Sequence, residues 1–450
     1  MAVAVVVPSA SARRGARAAR LPVPVTLGLC LALLLTAGGV VLARVAPQDA
    51  DIPLAGETVA VGPGGVVVEV PPGARTTIPG TRVIAGPGSA AAVAAEQAWL
   101  AAGTVPAVPE LGAGSDLVRG AMLDLHVLTQ TYGVPVAGWT GPWRYVWPRD
   151  AAFAAVAFAR TGHVDDAERV LDFLGRVQPG SGVFQARYLP DGSGVPDDRG
   201  TQLDGSGWAL WATAGVADAL PAAARAPFVA RHRPLVERST AAVLAATDRP
   251  GGLPPASPDY WEVRERRTTL ATAAVLRAGL ESAVRLETMA GDPAAADRAS
   301  AAATRLGAAI TSAFAPRGFP RRLGGSAGSV DLGVAFLLPP FADTVDPAAY
   351  ARFQTAPAVM GRPAGGLAPG GSWKRDGVSW TPTTATWALV AAGSGDRAQA
   401  VSRLAWLEDH RTADGSLPEK VLSDGRPAAV APLAWTAAAV VLTATELSRP

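Results

Sequence analysis

The sequence predicts an all-α fold, an (α/α)6 toroid of six helix hairpins, preceded by a transmembrane helix and a short β-rich segment. Three observations predict it. From residue 91 onward about a dozen Ala-rich amphipathic stretches follow one another. The connections between them alternate between tight turns and long loops rich in Gly, Pro and Trp. One uncharged apolar run near the N-terminus has the length a membrane-spanning helix needs.

The elements follow in chain order. Residues 1–20 form a basic tail carrying Arg13, Arg14, Arg17 and Arg20, and Leu21 to Ala43 contains no charged residue. Positive charge before the run and only Arg44 close behind it predict a cytoplasmic tail and an uncleaved anchor. A cleaved secretory signal, with its shorter apolar region, is the alternative. Either way the rest of the chain is expected outside the cytoplasm, membrane-anchored in the first case and secreted in the second. Residues 44–90 contain Val59-Ala60-Val61 and Val66-Val67-Val68-Glu69-Val70 around a Gly62-Pro63-Gly64-Gly65 turn, the pattern of short paired strands. They form either a linker with a small β element or strands laid onto the main domain.

Residues 91–450 are expected to form that domain. Helices are predicted near 91–103, 114–131, 150–161, 165–177, 205–220, 225–247, 265–290, 293–314, 330–338, 346–358, 379–392, 396–409 and 432–447. Gly162-His163-Val164, Pro221-Ala222, Gly291-Asp292 and Gly393-Ser394-Gly395 are tight turns, whereas 132–149, 178–204, 248–261, 359–378 and 410–431 are long. Antiparallel hairpins with short turns at one end collect their long connections at the other, where binding groups usually sit.

Composition narrows the function. Apolar residues make up 49% of the 450-residue chain, enough for a large core, and 40 Lys plus Arg nearly balance 38 Asp plus Glu. With four of the Arg in the tail, the domain carries no electrostatic footprint for nucleic acid. A single cysteine, Cys30, rules out an intrachain disulfide, and the four His show no metal-ligand spacing, so no cofactor or metal is expected.

The chemistry lies in the long loops. Trp accounts for 12 residues against 10 Phe and 5 Tyr, and Trp139, Trp143, Trp147, Trp261, Trp373 and Trp380 fall in or beside those loops. Indoles cover the C–H faces of sugars, although they also fill helical cores. Trp147-Pro148-Arg149-Asp150 sets a forked donor beside a carboxylate, a pair suited to a polyol; Asp150 is otherwise an N-cap. In Asp259-Tyr260-Trp261-Glu262 an acid adjoins an indole, an apolar wall that favours a protonated carboxyl. The alternative makes Glu262 an acid in the first turn of a helix. Glu419, in Leu417-Pro418-Glu419-Lys420, has no helix end to explain it; the plain alternative is a solvated ion pair with Lys420.

Trp-Pro-Arg-Asp (147–150), Gln-Leu-Asp-Gly (202–205), Asp-Tyr-Trp-Glu (259–262), Lys-Arg (374–375), Leu-Pro-Glu (417–419) and Pro-Leu-Ala-Trp (432–435) occur in one order. In that order, over residues 114–447, the chain resembles the glucoamylase-type glycoside hydrolases of glycoside hydrolase family 15. The resemblance implies an inverting, exo-acting α-glucosidase that takes terminal glucose from α-linked glucans. It implies that Glu262 is the general acid and Glu419 the general base, about 6.5–9.5 Å apart to admit a water. By the same resemblance Arg149 and Asp150 grip the terminal glucose, with Tyr145, Trp147 and Trp261 lining its site. Arg375 is implied on the leaving-group side, and Gln202 and Asp204 as further polar groups of the site. Fungal members carry a second carboxylate where this chain has Val263. Trehalose or an α-1,6-glucan is a substrate alternative within the family; a noncatalytic glycan-binding protein of the envelope is the alternative outside it.

Overall fold

The computed structural model describes residues 50–449. The basic tail and the anchor expected at 21–43 lie outside the described residues. Among the described residues no helix is long and apolar enough to cross a membrane.

The helical part is a double ring. Six inner elements close a circle: α3 (Pro148–Arg160), α5 (Asp204–Ala219), α8 (Leu270–Ala290), a 3-10 helix (Leu332–Leu337), α12 (Thr381–Gly393) and α14 (Ala434–Leu447), which returns to α3. Each is backed by an outer helix: α4 (Val164–Val177), α7 (Arg233–Thr247), α9 (Pro293–Phe314), α10 (Pro347–Thr355), α13 (Arg397–Asp409) and, behind α14, α2 (Leu117–Gln130). Helices α1 (Ser89–Ala101), α6 (Ala222–Arg231) and α11 (Pro357–Met360) complete the set. The inner helices are buried around nearly their whole circumference, so they read as apolar runs rather than stripes. Outer α4 keeps the opposite character, with Val170, Leu171 and Leu174 turned inward and charges outward. Close contact between α5 and α8 depends on two glycines: a Cβ on Gly279 would lie 2.7 Å from Gly207 Cα.

Four helix boundaries depart from the periodicity. The stretch 225–247 breaks at His232, because Pro234 offers no backbone N–H to the preceding turn. Pro357 divides 346–358 in the same way. The fourth inner element is a 3-10 helix, started by Asp331 Oδ1 accepting from Gly333 N at 3.0 Å and followed by Pro339-Pro340. The helix predicted from 265 begins at Leu270, capped by Thr269, whose Oγ1 accepts from Thr272 N. That last shift leaves Glu262 eight residues short of a helix, so it is not a first-turn acid.

Strands β1 (Thr58–Val61) and β2 (Val67–Val70) form an antiparallel hairpin with Thr58 opposite Val70. Side chains fasten this segment to the helices. Arg82 Nε meets the buried Asp124 at 2.5 Å, Thr58 Oγ1 shares a 2.6 Å bond with Ser416, and Thr412 Oγ1 donates to Glu57 O at 2.5 Å. Residues 53–55 also run beside Ala429, with Ala55 N donating to Ala429 O at 2.8 Å. The loop that carries Glu419 is thus flanked by the β-rich segment.

Candidate active site

Over one end of the ring, long loops enclose a cleft of about 320 Å³. Both carboxylates singled out in the sequence line it, together with Trp147, Arg149, Asp150 and Trp261. The N-terminal end of α3 supplies the floor. Pro148 at the first helical position stops the loop and turns Arg149 and Asp150 inward, the two joined at 2.8 Å. The Arg149 guanidinium carbon lies over the Trp435 ring, 4.2 Å from its centre, a cation–π contact that helps to hold the fork in place. Burial pushes the Asp150 carboxyl up, and the Arg149 charge pulls it back.

Glu262 sits on a tight turn. Asp259 Oδ1 accepts from Trp261 N at 3.0 Å, Asp259 O accepts from Glu262 N at 2.7 Å, and Glu262 itself is left-handed at φ 53°. A non-glycine residue there is uncommon and is held only by its surroundings. Those surroundings are a buried guanidinium. Arg321 reaches Asp331 at 2.6 Å, Asp259 at 2.7 Å and Glu265 at 2.8 Å, and its guanidinium carbon lies 3.8 Å from the centre of the Trp261 ring. Burial alone would lower Arg321, but Asp259 and Asp331 hold it above its ordinary value. The Glu262 carboxylate accepts from the Trp147 indole on one oxygen and pairs with Arg199 on the other.

Glu419 enters from the β-rich side. Short strands β5 (Ser379–Trp380), β6 (Lys420–Val421) and β7 (Pro427–Ala428) form a small antiparallel sheet. Glu419 lies just before β6, its N donating to Val430 O at 2.8 Å and its O accepting from Thr381 N at 3.0 Å. Its carboxylate accepts from the Trp143 indole at 3.2 Å and meets Lys420 at 2.9 Å. The Lys420 pair expected for a solvated residue is therefore present, yet Glu419 is only 9% exposed and faces the cleft.

The remaining wall is indole. Trp261, Trp373 and Trp380 meet edge to face at 4.6 and 5.4 Å. The Nε1 atoms of Trp261, Trp373, Trp380 and Trp435, and Nε of Arg149, are buried without a hydrogen-bond partner. Unspent donors of this kind, set in apolar walls beside two carboxylates, match a ligand with many hydroxyls and C–H faces.

No family model matches the chain. It is 27% identical over 309 residues to the isomaltose glucohydrolase of Kribbella flavida, across 62% of this chain and 74% of that protein. A solved glycosidase superposes with a TM-score of 0.63 at 23% identity, covering 76% of this chain and 98% of its own. A bacterial glucoamylase complexed with acarbose gives 0.63 at 18% identity, over 78% of this chain and 57% of its own. The fold is that of the glucoamylases.

Within this glucoamylase fold not every residue singled out in the sequence reaches the cleft. Arg375 does not: it is exposed on the loop after Trp373, which turns that indole inward and the next two residues out. Tyr145 stands behind the wall, its ring 4.6 Å from the Arg187 guanidinium. Gln202 and Asp204 are buried below the floor, around a small cavity they share with Trp147, Arg149 and Trp208. Asp204 is the first residue of α5, and Leu203, at the capping position before it, makes no side-chain cap. The loop between β3 (Phe184–Gln185) and β4 (Thr201–Gln202) instead brings two other arginines, Arg187 and Arg199, to the cleft. The charged composition of Asp197-Asp198-Arg199 was the available signal, but a charged loop tip ordinarily reads as solvated.

Burial, and then the Asp259 charge, push Asp204 from 3.8 up to about 7. Between those values the folded chain holds a proton that the unfolded chain has released, so this group costs stability progressively as pH rises through the interval. Asp204→Asn is expected to flatten the decline of melting temperature from pH 4 to about 7. An unchanged slope would assign the decline to other groups.

Proposed function

We propose that the chain is an inverting, exo-acting α-glucosidase in which Glu262 protonates the glycosidic oxygen and Glu419 activates water. The observation that carries this reading is that the two carboxylates, 157 positions apart in sequence, line one indole-walled cleft, each fixed by an indole donor. In such a site Arg149 and Asp150 hold hydroxyls of the terminal glucose, the fork donating and the carboxylate accepting. Trp435 and the Trp261–Trp373–Trp380 wall cover its apolar faces and keep bulk water out. Glu262 gives its proton as the C–O bond breaks. Glu419 takes one from a water on the opposite face, and the anomeric centre inverts. Lys420, 2.9 Å away, is the cation that pairs with the carboxylate form a base requires.

The relative from Kribbella flavida acts, by its name, on isomaltose. That supports α-1,6-linked glucosides as substrates of this chain beside α-1,4-linked ones. The test is glucose release from isomaltose, maltose and trehalose, followed by NMR before mutarotation. β-Glucose as the first product is the expected result. α-Glucose would mean a retaining mechanism, and turnover of trehalose alone would move the substrate class.

A further inference from the structure

Arg199 is set apart from the other cations of the cleft. Arg187 is immobilised: it donates to Pro142 O at 2.7 Å, pairs with Asp197, and lies over Tyr145 and Trp147 at 4.6 and 5.0 Å. Arg199 has two carboxylates and nothing else. Nη1 meets Glu262 Oε2, Nε meets Asp197 Oδ2 at 3.2 Å, and its side chain is 39% exposed. It comes from the loop joining β3 and β4, not from the ring.

This contact opposes the chemistry proposed for Glu262. A group that donates a proton must hold one at the moment of reaction, and a guanidinium on its oxygen favours the carboxylate. The contact also covers Oε2, and Oε1 is already engaged by Trp147. A glycosidic oxygen approaching Oε2 meets Arg199 there, and one approaching Oε1 meets Trp147. Trp147 is buried at the foot of α3, whereas Arg199 is exposed and has a second acceptor at hand in Asp197.

We propose that Arg199 is a displaceable guard on Glu262, a positioning residue that pairs with it in the free protein and passes to Asp197 when a sugar enters the leaving-group side. The inference rests on the reading of Glu262 as the proton donor. Release of the guanidinium lets Glu262 take a proton from solvent as the sugar arrives, so the donor is armed only in the occupied site. An O–H bond of a solvent hydronium ion breaks, leaving water, and the O–H bond of the carboxyl forms; no other bond changes. The other charged or titratable groups lining the same cleft are Arg149, Asp150, Arg187, Tyr260 and Glu419. Arg149 pairs with Asp150 and Arg187 with Asp197, and Arg199 is the cation paired with Glu262.

Trp147 provides a readout that needs no turnover, because its indole N–H donates to Glu262 and its resonance follows the charge there. In the full chain, with that resonance assigned by Trp147→Phe, the titration midpoint is expected to rise by about one pH unit in Arg199→Gln. It should keep its wild-type value in Arg199→Lys, which keeps a cation. Turnover gives a second view, since kcat/KM reports the free protein and kcat the occupied one. The alkaline limb of kcat/KM is expected at lower pH than that of kcat in the wild type, and the two should coincide in Arg199→Gln. Asp197→Asn, which removes the alternative acceptor, should draw the kcat limb down. An indole midpoint unmoved by Arg199→Gln overturns the proposal. Should Glu262→Gln retain turnover, the proton-donor reading falls, and the indole titration still decides whether Arg199 guards that carboxyl.

Discussion

Replacing Glu262 or Glu419 by Gln is expected to lower kcat on isomaltose and maltose by about 10²–10⁴-fold each. Gln is nearly isosteric with Glu, and its carbonyl oxygen can still accept from the Trp147 or Trp143 indole, so the fold should survive. What is lost differs at the two positions. In Glu262→Gln the amide has no proton to give a departing sugar oxygen. In Glu419→Gln the amide cannot take one from water. A substrate whose leaving group needs no proton separates them: α-glucosyl fluoride should restore much of the rate in Glu262→Gln and little in Glu419→Gln. Equal recovery in both would mean that the two roles are not divided as proposed. Full activity of either variant on the disaccharides would remove that residue from the chemistry.

The second large effect is on stability. Arg321→Met should cost about 3–5 kcal/mol, because it leaves uncompensated charge in the interior. Asp259, Glu265 and Asp331 all meet this one guanidinium, and the side chains of all four residues are at most 1% exposed. Coulomb attraction to this Arg offsets the desolvation of Asp259 and Asp331, and shares that of Glu265 with Arg322; without Arg321, Asp259 and Asp331 must protonate or find water. Arg321→Lys should recover only part of the loss, since a point charge cannot address three carboxylates as a planar fork does. Arg321→Met should lower turnover as well, because Arg321 also supports Trp261, and through Asp259 the left-handed turn at Glu262. Thermal melts measure the first effect and kcat the second. A melting temperature unchanged in Arg321→Met would show that the cluster does not stabilise the fold.

Much of this architecture is legible in one dimension. Helices such as Val164–Val177 and Pro293–Phe314 are readable because helical periodicity is a local property, and caps such as Asp292 mark their ends. The inner ring is harder to read. A helix buried on all sides has no polar face, so only the alternation of loop lengths showed that the hairpins close. The boundary errors arose where proline chemistry or tertiary pairing overrode periodicity, as at Pro234 and in the 3-10 helix before Pro339.

The site divides in the same way. Glu262, Glu419, Arg149 and Asp150 stand in short motifs whose residue types carry the chemistry, so the sequence by itself determined which groups were candidates. It also determined that the long loops, rich in Trp, would hold them. Only the tertiary structure decided which side chains meet. It turned Arg375 to solvent and set Arg199 on Glu262. It also buried Arg321 beneath the turn that carries Glu262 and joined Trp143 to a carboxylate 276 positions away. The reason is physical. A residue's intrinsic chemistry is set by its own atoms and near neighbours in the chain, whereas its partners, exposure and charge state are set by distant segments that packing brings together.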